Sequence, residues 1–397
     1  MTGSKDGVYQ RCRPECPARC RRHAWNFTVE VGHDSSGRRR QVTKGGFTTR
    51  RAAKIARDAV VRQYRTGSLA ENPRQTVGPY LGAWLLRKTE VGALRPTTAR
   101  AYKQHIDTYL RPHLGHVRLA DLSPVQIELM YAAIRRSGAN GRPLSAASVR
   151  RVHATLRSAL RDGVRRRELA CDPCANVVVP AGQRPRVQPW EPAQFGAFLD
   201  AIEGHRLAPM FLLAGTAGLR RGELCGLRSS DVDLELGRLI VHQQVVAVGH
   251  ATHVGPTKTH GADSRVVDLD DGTINALRTW RSRQVAEQLA WGPAYQDSKL
   301  VFTREDGRGW HPEVVTKSFP RLAKQAGLVP CRLHDLRHLA ASLMLASGAP
   351  LALVSKRLGH SSITVTADTY QHLFDGVGRD AAERAAALVP RAVRGRP

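Results

Sequence analysis

From Trp25 to Val31 every second position is apolar (Trp25, Phe27, Val29, Val31), the period of a strand with one buried face. Asp34-Ser-Ser-Gly37 is turn chemistry, Arg38–Lys44 reads as a second, basic strand, and Gly45-Gly46 predicts another turn. Thr48–Tyr64 predicts a helix with Thr49 as N-cap, because its hydroxyl can accept one of the backbone N–H groups left over at a helix start. Past the Glu71-Asn-Pro-Arg74 break the period becomes helical. Val77–Lys88 carries Tyr80, Leu81, Trp84 and Leu85 on one face, and Pro96–Leu110 carries Tyr102, Ile106, Tyr109 and Leu110. Ser123-Pro124 caps Val125–Arg136, which turns Ile127, Met130, Tyr131 and Ile134 inward, and Ser145–Arg166 does the same with Val149, Val152, Leu156, Leu160 and Val164. These stripes read as core rather than as cofactor contacts.

Pro180-Ala-Gly-Gln-Arg-Pro-Arg186 has no period and reads as a linker. Trp190 opens a second large domain. Helices are expected at Pro192–Glu203, Leu207–Ala217 and Gly222–Gly226, then strands at Arg238–Val248 and Ser264–Leu269. Helices at Thr273–Leu289, Pro312–Ala326 and Leu333–Ser347 follow, with a last short one at Asp380–Val389. The expected fold class is mainly α with small antiparallel β-sheets (α+β), in several domains. These are a sheet-plus-helix unit over 1–66, a helical unit over 73–180, the linker 181–189, a large domain over 190–375, and a helix with a basic tail (Arg391, Arg394, Arg396) over 376–397.

Length supports that division, since 397 residues exceed what a single core usually serves. Charge adds a partner. Against 61 Lys+Arg stand 34 Asp+Glu, a formal charge of +27, whose self-repulsion opposes compaction unless a polyanion is near. Nucleic acid is the leading candidate. An anionic membrane is the weaker one, because the chain holds no basic amphipathic helix with an apolar aromatic face. Arg38, Arg39, Arg40, Lys44, Arg50 and Arg51 make the N-terminal sheet a candidate DNA contact, the alternative being a solvated basic hairpin. No apolar run reaches the ~18–20 residues of a membrane span, and Met1–Cys20 lacks a signal-peptide core, so the expectation is a cytoplasmic protein. Seven cysteines, an odd number, argue against a disulfide framework. Cys12, Cys16, Cys20 and His23 make a Cys3His zinc site conceivable, although their spacing matches no common module, and no metal is expected. Cys171-Asp-Pro-Cys174 is a lone pair at a helix end, while Cys225 and Cys331 read as small core residues.

Four segments carry candidate chemistry: Thr216-Ala-Gly-Leu-Arg220-Arg-Gly-Glu223-Leu224, Pro256-Thr-Lys258-Thr259, His334-Asp-Leu-Arg337-His338, and Leu358-Gly-His360-Ser-Ser362 running on to Asp368-Thr-Tyr370-Gln-His372. In order, spacing and neighbouring residues they resemble the tyrosine recombinase (phage integrase) family across Trp190–Phe374. Val77–Val179 is similar in size and position to that family's helical, SAM-like core-binding domain. Met1–Thr66 resembles the arm-binding domain of long phage-type integrases.

The resemblance implies an enzyme that cuts and rejoins DNA strands through a 3′-phosphotyrosyl intermediate, and it has a physical rationale. Opening a phosphodiester without metal or water requires a nucleophile, fixed cations on the phosphate, and a proton donor for the departing 5′-oxygen. Carried onto this chain, Tyr370 is the nucleophile and Arg220 and Arg337 grip the non-bridging oxygens. A guanidinium fork suits that role, since it matches phosphate geometry and keeps its charge. Lys258, in a Gly- and Thr-rich turn between two strands, is the proton donor; alternatively it is a loop lysine on the backbone. His334 takes an acid/base role and His360 a phosphate hydrogen bond. Glu223 is the supporting carboxylate, or else an ordinary helix-face acid. His338 packs or caps, Arg221 makes a surface or backbone contact, and Leu339 departs from a frequent threonine. No cofactor is implied, and no nucleotide-cradling GxxxxGK[ST] motif is present. The partners implied are double-stranded attachment-site DNA and three further copies of the chain, with an excision factor and a host architectural protein as possible additions, in the nucleoid. The C-terminal helix would dock on a neighbouring subunit or on its own domain. A type IB topoisomerase and an inactive DNA-binding regulator are the alternatives.

Overall fold

The computed structural model describes residues 6–10, 16, 23–33, 37–65, 74–138, 141–182, 190–257, 264–359, 362–364 and 367. The chain divides into two units, Met1–Arg184 and Pro185–Pro397. In the first, β1 (Val8–Gln10), β2 (Trp25–His33) and β3 (Arg39–Phe47) form an antiparallel sheet in that order, covered by α1 (Arg50–Arg65). The alternation of β2 does what it predicts: Phe27 and Val31 are buried with Val8, Ala53 and Val60, while Trp25 and Val29 pack against them. Thr49 caps α1, its hydroxyl accepting the Ala52 N–H at 3.1 Å. Gly45-Gly46 does not turn the chain. Both lie within β3, where Trp25 faces Phe47 but Phe27 faces Lys44, so a residue bulges out and Gly46 takes a φ of +91°. The expected turn is a bulge, and glycine suits either. Three-residue β1 is too short to show a period, and the sequence reading does not contain it.

The helical part of this unit comprises α2 (Val77–Glu90), α3 (Pro96–His105), α4 (Arg111–Leu114), α5 (Pro124–Arg136) and α6 (Ala146–Arg165). The single helix expected over Pro96–Leu110 is interrupted by a π turn at Ile106–Leu110, which leaves Ile106 and Leu110 both buried. Ser123 and Gln126 close a reciprocal capping box at the start of α5. The expected stripes form one core, joined across α2 and α6 by Tyr80, whose hydroxyl donates to the Ala159 carbonyl at 2.8 Å, and by Trp84, whose indole donates to Asp162 at 3.1 Å. A Cβ on Gly163 would stand 2.4 Å from the Tyr80 hydroxyl, so only glycine permits this approach.

The second unit contains α7 (Pro192–Ala201), α8 (Ala208–Ala217), α9 (Arg221–Gly226), α10 (Asp271–Trp291), α11 (Pro312–Gln325), α12 (Asp335–Ala346) and α13 (Leu351–Leu358). Trp190, Phe198, Phe211 and Phe319 meet ring to ring in its core. The strand expected over Arg238–Val248 is two strands. After β4 (Val232–Asp233), β5 (Arg238–Val241) joins β4 and β8 (Arg265–Asp268) in one antiparallel sheet, whereas β6 (Gln243–Val248) pairs, among the described residues, only with β7 (Ala251–Pro256). β7 is mostly exposed and hence carries no alternation to read. α13, about two turns long, is also absent from the sequence reading, since a buried Val354 and Leu358 alone make no clear stripe.

Cys225 is buried, its thiol pushed up to about 12 by burial, and Cys331 packs on the same core, as expected of small apolar residues. Cys16 Sγ lies 3.7 Å from His23 Nδ1, whereas Cys12 and Cys20 lie outside the described residues, as does the C-terminal stretch 376–397. Among the described residues no group of three or more potential metal ligands assembles, and no helix is long and apolar enough to cross a membrane.

Candidate active site

Gly218, left-handed at φ +69°, ends α8 and lets the chain turn back so that Arg220 becomes the N-cap of α9. Three residues on, Glu223 accepts the Arg220 backbone N–H and its Nη1, each at 2.8 Å. This carboxylate is only 1% exposed, and from its other side Arg265, the first residue of β8, donates Nη1 at 3.1 Å and Nη2 at 2.5 Å. Burial pushes the Glu223 carboxyl up. The hydrogen bonds and charge of Arg265, then Arg220, overcome that and hold it down at about 2. Glu223 is therefore an ionised bridge between two arginines rather than a helix-face acid.

The third guanidinium belongs to Arg337, on the first turn of α12 and 3% exposed. It donates Nη1 to the Gly218 carbonyl at 2.7 Å and Nη2 to the Leu358 carbonyl. Arg220 Nη2 donates to the Gly359 carbonyl at 2.8 Å, and Arg265 Nε to the Arg357 carbonyl at 2.9 Å. Consecutive carbonyls at the end of α13, which no helical N–H can reach, are thus each capped by an arginine from a different element. The positive charge also suits the negative end of the helix dipole. Gly359, left-handed at φ +67°, carries the chain out of this cap, and the next residue is His360.

His334 is the N-cap of α12 and shows one face to solvent. Packing around the rest of the ring, then the charges of His338, Arg337 and Arg220, lower its pKa to about 4. The His338 ring stands nearly perpendicular to it, centroids 5.5 Å apart, so His338 packs as expected. Arg221 donates to the Thr316 hydroxyl at 2.7 Å on the surface, and Leu339 is buried in the core. His334 is expected to titrate near pH 4 in the free protein, read from its ring proton resonances, against about 6.5 for an ordinary histidine. Because the folded state resists protonation there, stability is full above pH 6.5 and falls as pH drops from 6.5 toward 4. A midpoint near 6.5 would count against this environment.

The structure thus brings Arg220, Glu223 and Arg337 around one helix end, with His334 on the same α12. Lys258, His360 and Tyr370 lie outside the described residues. Arg265 is the residue sequence reasoning missed; an arginine opening the short apolar strand Val266-Val267 was its only local signal. The basic residues of the N-terminal sheet do not share one face. Arg39 lies on the outer face and pairs with Glu30, Arg40 lies opposite with Val42, and Arg50 pairs with Asp6 and stacks on Trp25. Arg38, Lys44 and Arg51 are exposed.

Comparison with known proteins bears on what such an arrangement is for. A profile described as the phage integrase family matches residues 191–376, one for an arm DNA-binding domain matches 20–60, and one for the phage integrase N-terminal SAM-like domain matches 76–131. The chain belongs to the phage integrase family. As a phage integrase it is a tyrosine recombinase, an enzyme of site-specific recombination. It is similar to a XerC-like tyrosine recombinase of Caldanaerobacter subterraneus subsp. tengcongensis, 26% identical over 88% of this chain and 92% of that one. It is also similar to the ICEBs1 integrase of Bacillus subtilis, 24% identical over 91% and 96% respectively. Among solved structures, the Tn1549 transposon integrase in complex with transposon right end DNA superposes with a TM-score of 0.66 at 20% identity, over 79% of this integrase and 100% of that chain. A lambda integrase tetramer bound to a Holliday junction gives 0.55 at 20% identity, over 91% and 94%. The fold expected from the sequence, mainly helical with small antiparallel sheets in several domains, is the fold these structures share.

Proposed function

We propose that this integrase inserts and excises a mobile DNA element, phage or integrative, by cutting and rejoining strands through a phosphotyrosyl bond to Tyr370. The observation that carries the reading is the convergence of Arg220 and Arg337, far apart in sequence, on the adjacent carbonyls of Gly359 and Leu358, directly before His360. Three elements thereby hold two fixed positive charges at the end of α13, and the histidine that would hydrogen-bond a phosphate is the next residue in the chain. In the reaction, the Tyr370 phenolate oxygen forms a bond to phosphorus as the bond to the 5′-oxygen breaks, and the departing oxygen takes a proton from Lys258. Arg220 and Arg337 balance the charge that gathers on the non-bridging oxygens. His334, unprotonated at neutral pH, is suited to accept the phenolic proton. A 5′-hydroxyl of the partner duplex then attacks the phosphotyrosine, giving back the phenol. The bond energy is conserved in the intermediate, so the chemistry we assign calls on no cofactor or metal.

Double-stranded attachment-site DNA is the partner, and four copies of the chain would act on two duplexes. The same complex would recruit an excision factor and a host architectural protein in the nucleoid of the cytoplasm. We assign 1–66 to arm-site binding, 73–180 to core-site binding, 181–189 to a linker, 190–375 to catalysis, and 376–397 to a helix and basic tail. The net charge of +27 supports contact with a polyanion. A plasmid carrying two attachment sites tests the assignment. Recombinant product is expected; relaxation of supercoils without recombinants would identify a type IB topoisomerase, and binding without either product an inactive regulator.

A further inference from the structure

We propose that Arg265 is a positioning residue of the strand-cutting site, acting through Glu223 and the end of α13 to set the aim of Arg220 and the point from which the chain departs toward His360. This rests on the preceding assignment of Arg220 and His360.

Arg265 is 11% exposed, and its contacts leave little freedom. Its fork spans both oxygens of Glu223, while Nε holds the Arg357 carbonyl at 2.9 Å. Each Glu223 oxygen therefore receives one bond from Arg265 and one from Arg220, four in all, so neither arginine can shift without breaking bonds to a buried charge. The stem of Arg265 also passes over Gly359, where a Cβ would stand 3.1 Å from its Cδ. Arg265 thus touches both anchors of Arg220, namely the carboxylate that takes its Nη1 and the residue whose carbonyl takes its Nη2. A lysine could supply the charge but not the geometry, since a single ammonium cannot span two carboxylate oxygens and a carbonyl at once.

The test is single-turnover covalent cleavage of a nicked core-site duplex by the full-length protein at saturating DNA, with affinity measured separately. Arg265→Ala is expected to cut about 10²-fold more slowly while binding core DNA normally, since misplacement by about 1 Å can cost that much. Arg265→Lys is expected to recover part of the rate. Counting only DNA-bound complexes keeps loss of fold apart from loss of aim, and if the alanine protein fails to fold the lysine variant decides. A wild-type cleavage rate in either variant overturns the proposal, as does a loss confined to affinity. Wild-type protein that forms no Tyr370-dependent adduct overturns the underlying assignment, and this inference with it.

Discussion

Phenylalanine at position 370 is expected to abolish the SDS-resistant protein–DNA adduct, lowering its rate of formation by at least about 10⁴-fold, while core-site affinity is retained. So large a loss is expected because, in the proposed reaction, the phenolic oxygen is the atom that enters the new bond. Cationic groups can stabilise charge on a phosphate but cannot replace a missing nucleophile. Removal of a stabilising group leaves slow chemistry; removal of the attacking atom leaves none that yields a covalent product. The ring itself is retained in Tyr370→Phe, so packing changes little and the comparison isolates the oxygen. Denaturing gels on radiolabelled core-site DNA read the result directly. An adduct of undiminished yield, mapped by peptide sequencing to another tyrosine such as Tyr295, would displace Tyr370 from its role.

The second large effect is on stability. Glu223→Ala is expected to destabilise the second unit by about 3–5 kcal/mol, because it strips the counter-charge from two arginines held in a largely buried cluster. Arg265 is 11% and Arg220 22% exposed, so water can compensate the second better than the first. Glu223→Gln keeps the shape and one acceptor oxygen and is expected to cost less. Denaturant unfolding followed by tryptophan fluorescence reports the change, since Trp190 and Trp280 lie in the core of this unit. The wild-type protein carries the same information in its pH dependence. With a folded pKa of about 2 against an ordinary 4.5, Glu223 contributes stability that is fully present above pH 4.5 and is lost as pH falls toward 2. A loss below about 1 kcal/mol in the alanine variant would mean that the cluster behaves as a surface ion pair.

Tyr370 is marked by its neighbours along the chain, whereas the cost of removing Glu223 depends on Arg265, which no motif includes. The same division runs through the fold. The helical stripes around Tyr80, Ile127 and Leu156 were legible because burial follows a period that a linear text displays. The break between β5 and β6 was not, because no glycine or proline marks a turn within Arg238–Val248 and only the partner strands decide that Val241 and Gln243 belong to different sheets. Likewise Gly45-Gly46 advertises an unusual backbone, but whether that becomes a turn or a bulge depends on where Phe47 finds its partner, Trp25.

By itself the sequence determined the chemical inventory of this integrase and the local devices that need only near neighbours, such as the caps at Thr49 and Ser123 and the glycine stop at Gly218. Tertiary structure alone decided that Arg220, Arg265 and Arg337 would meet on three successive carbonyls at the C-terminal end and cap of α13, and that Glu223 would be an ionised bridge rather than a solvated acid. Hydrogen bonds are short and directional, so a contact between residues on separate elements exists only once packing has brought those elements within reach.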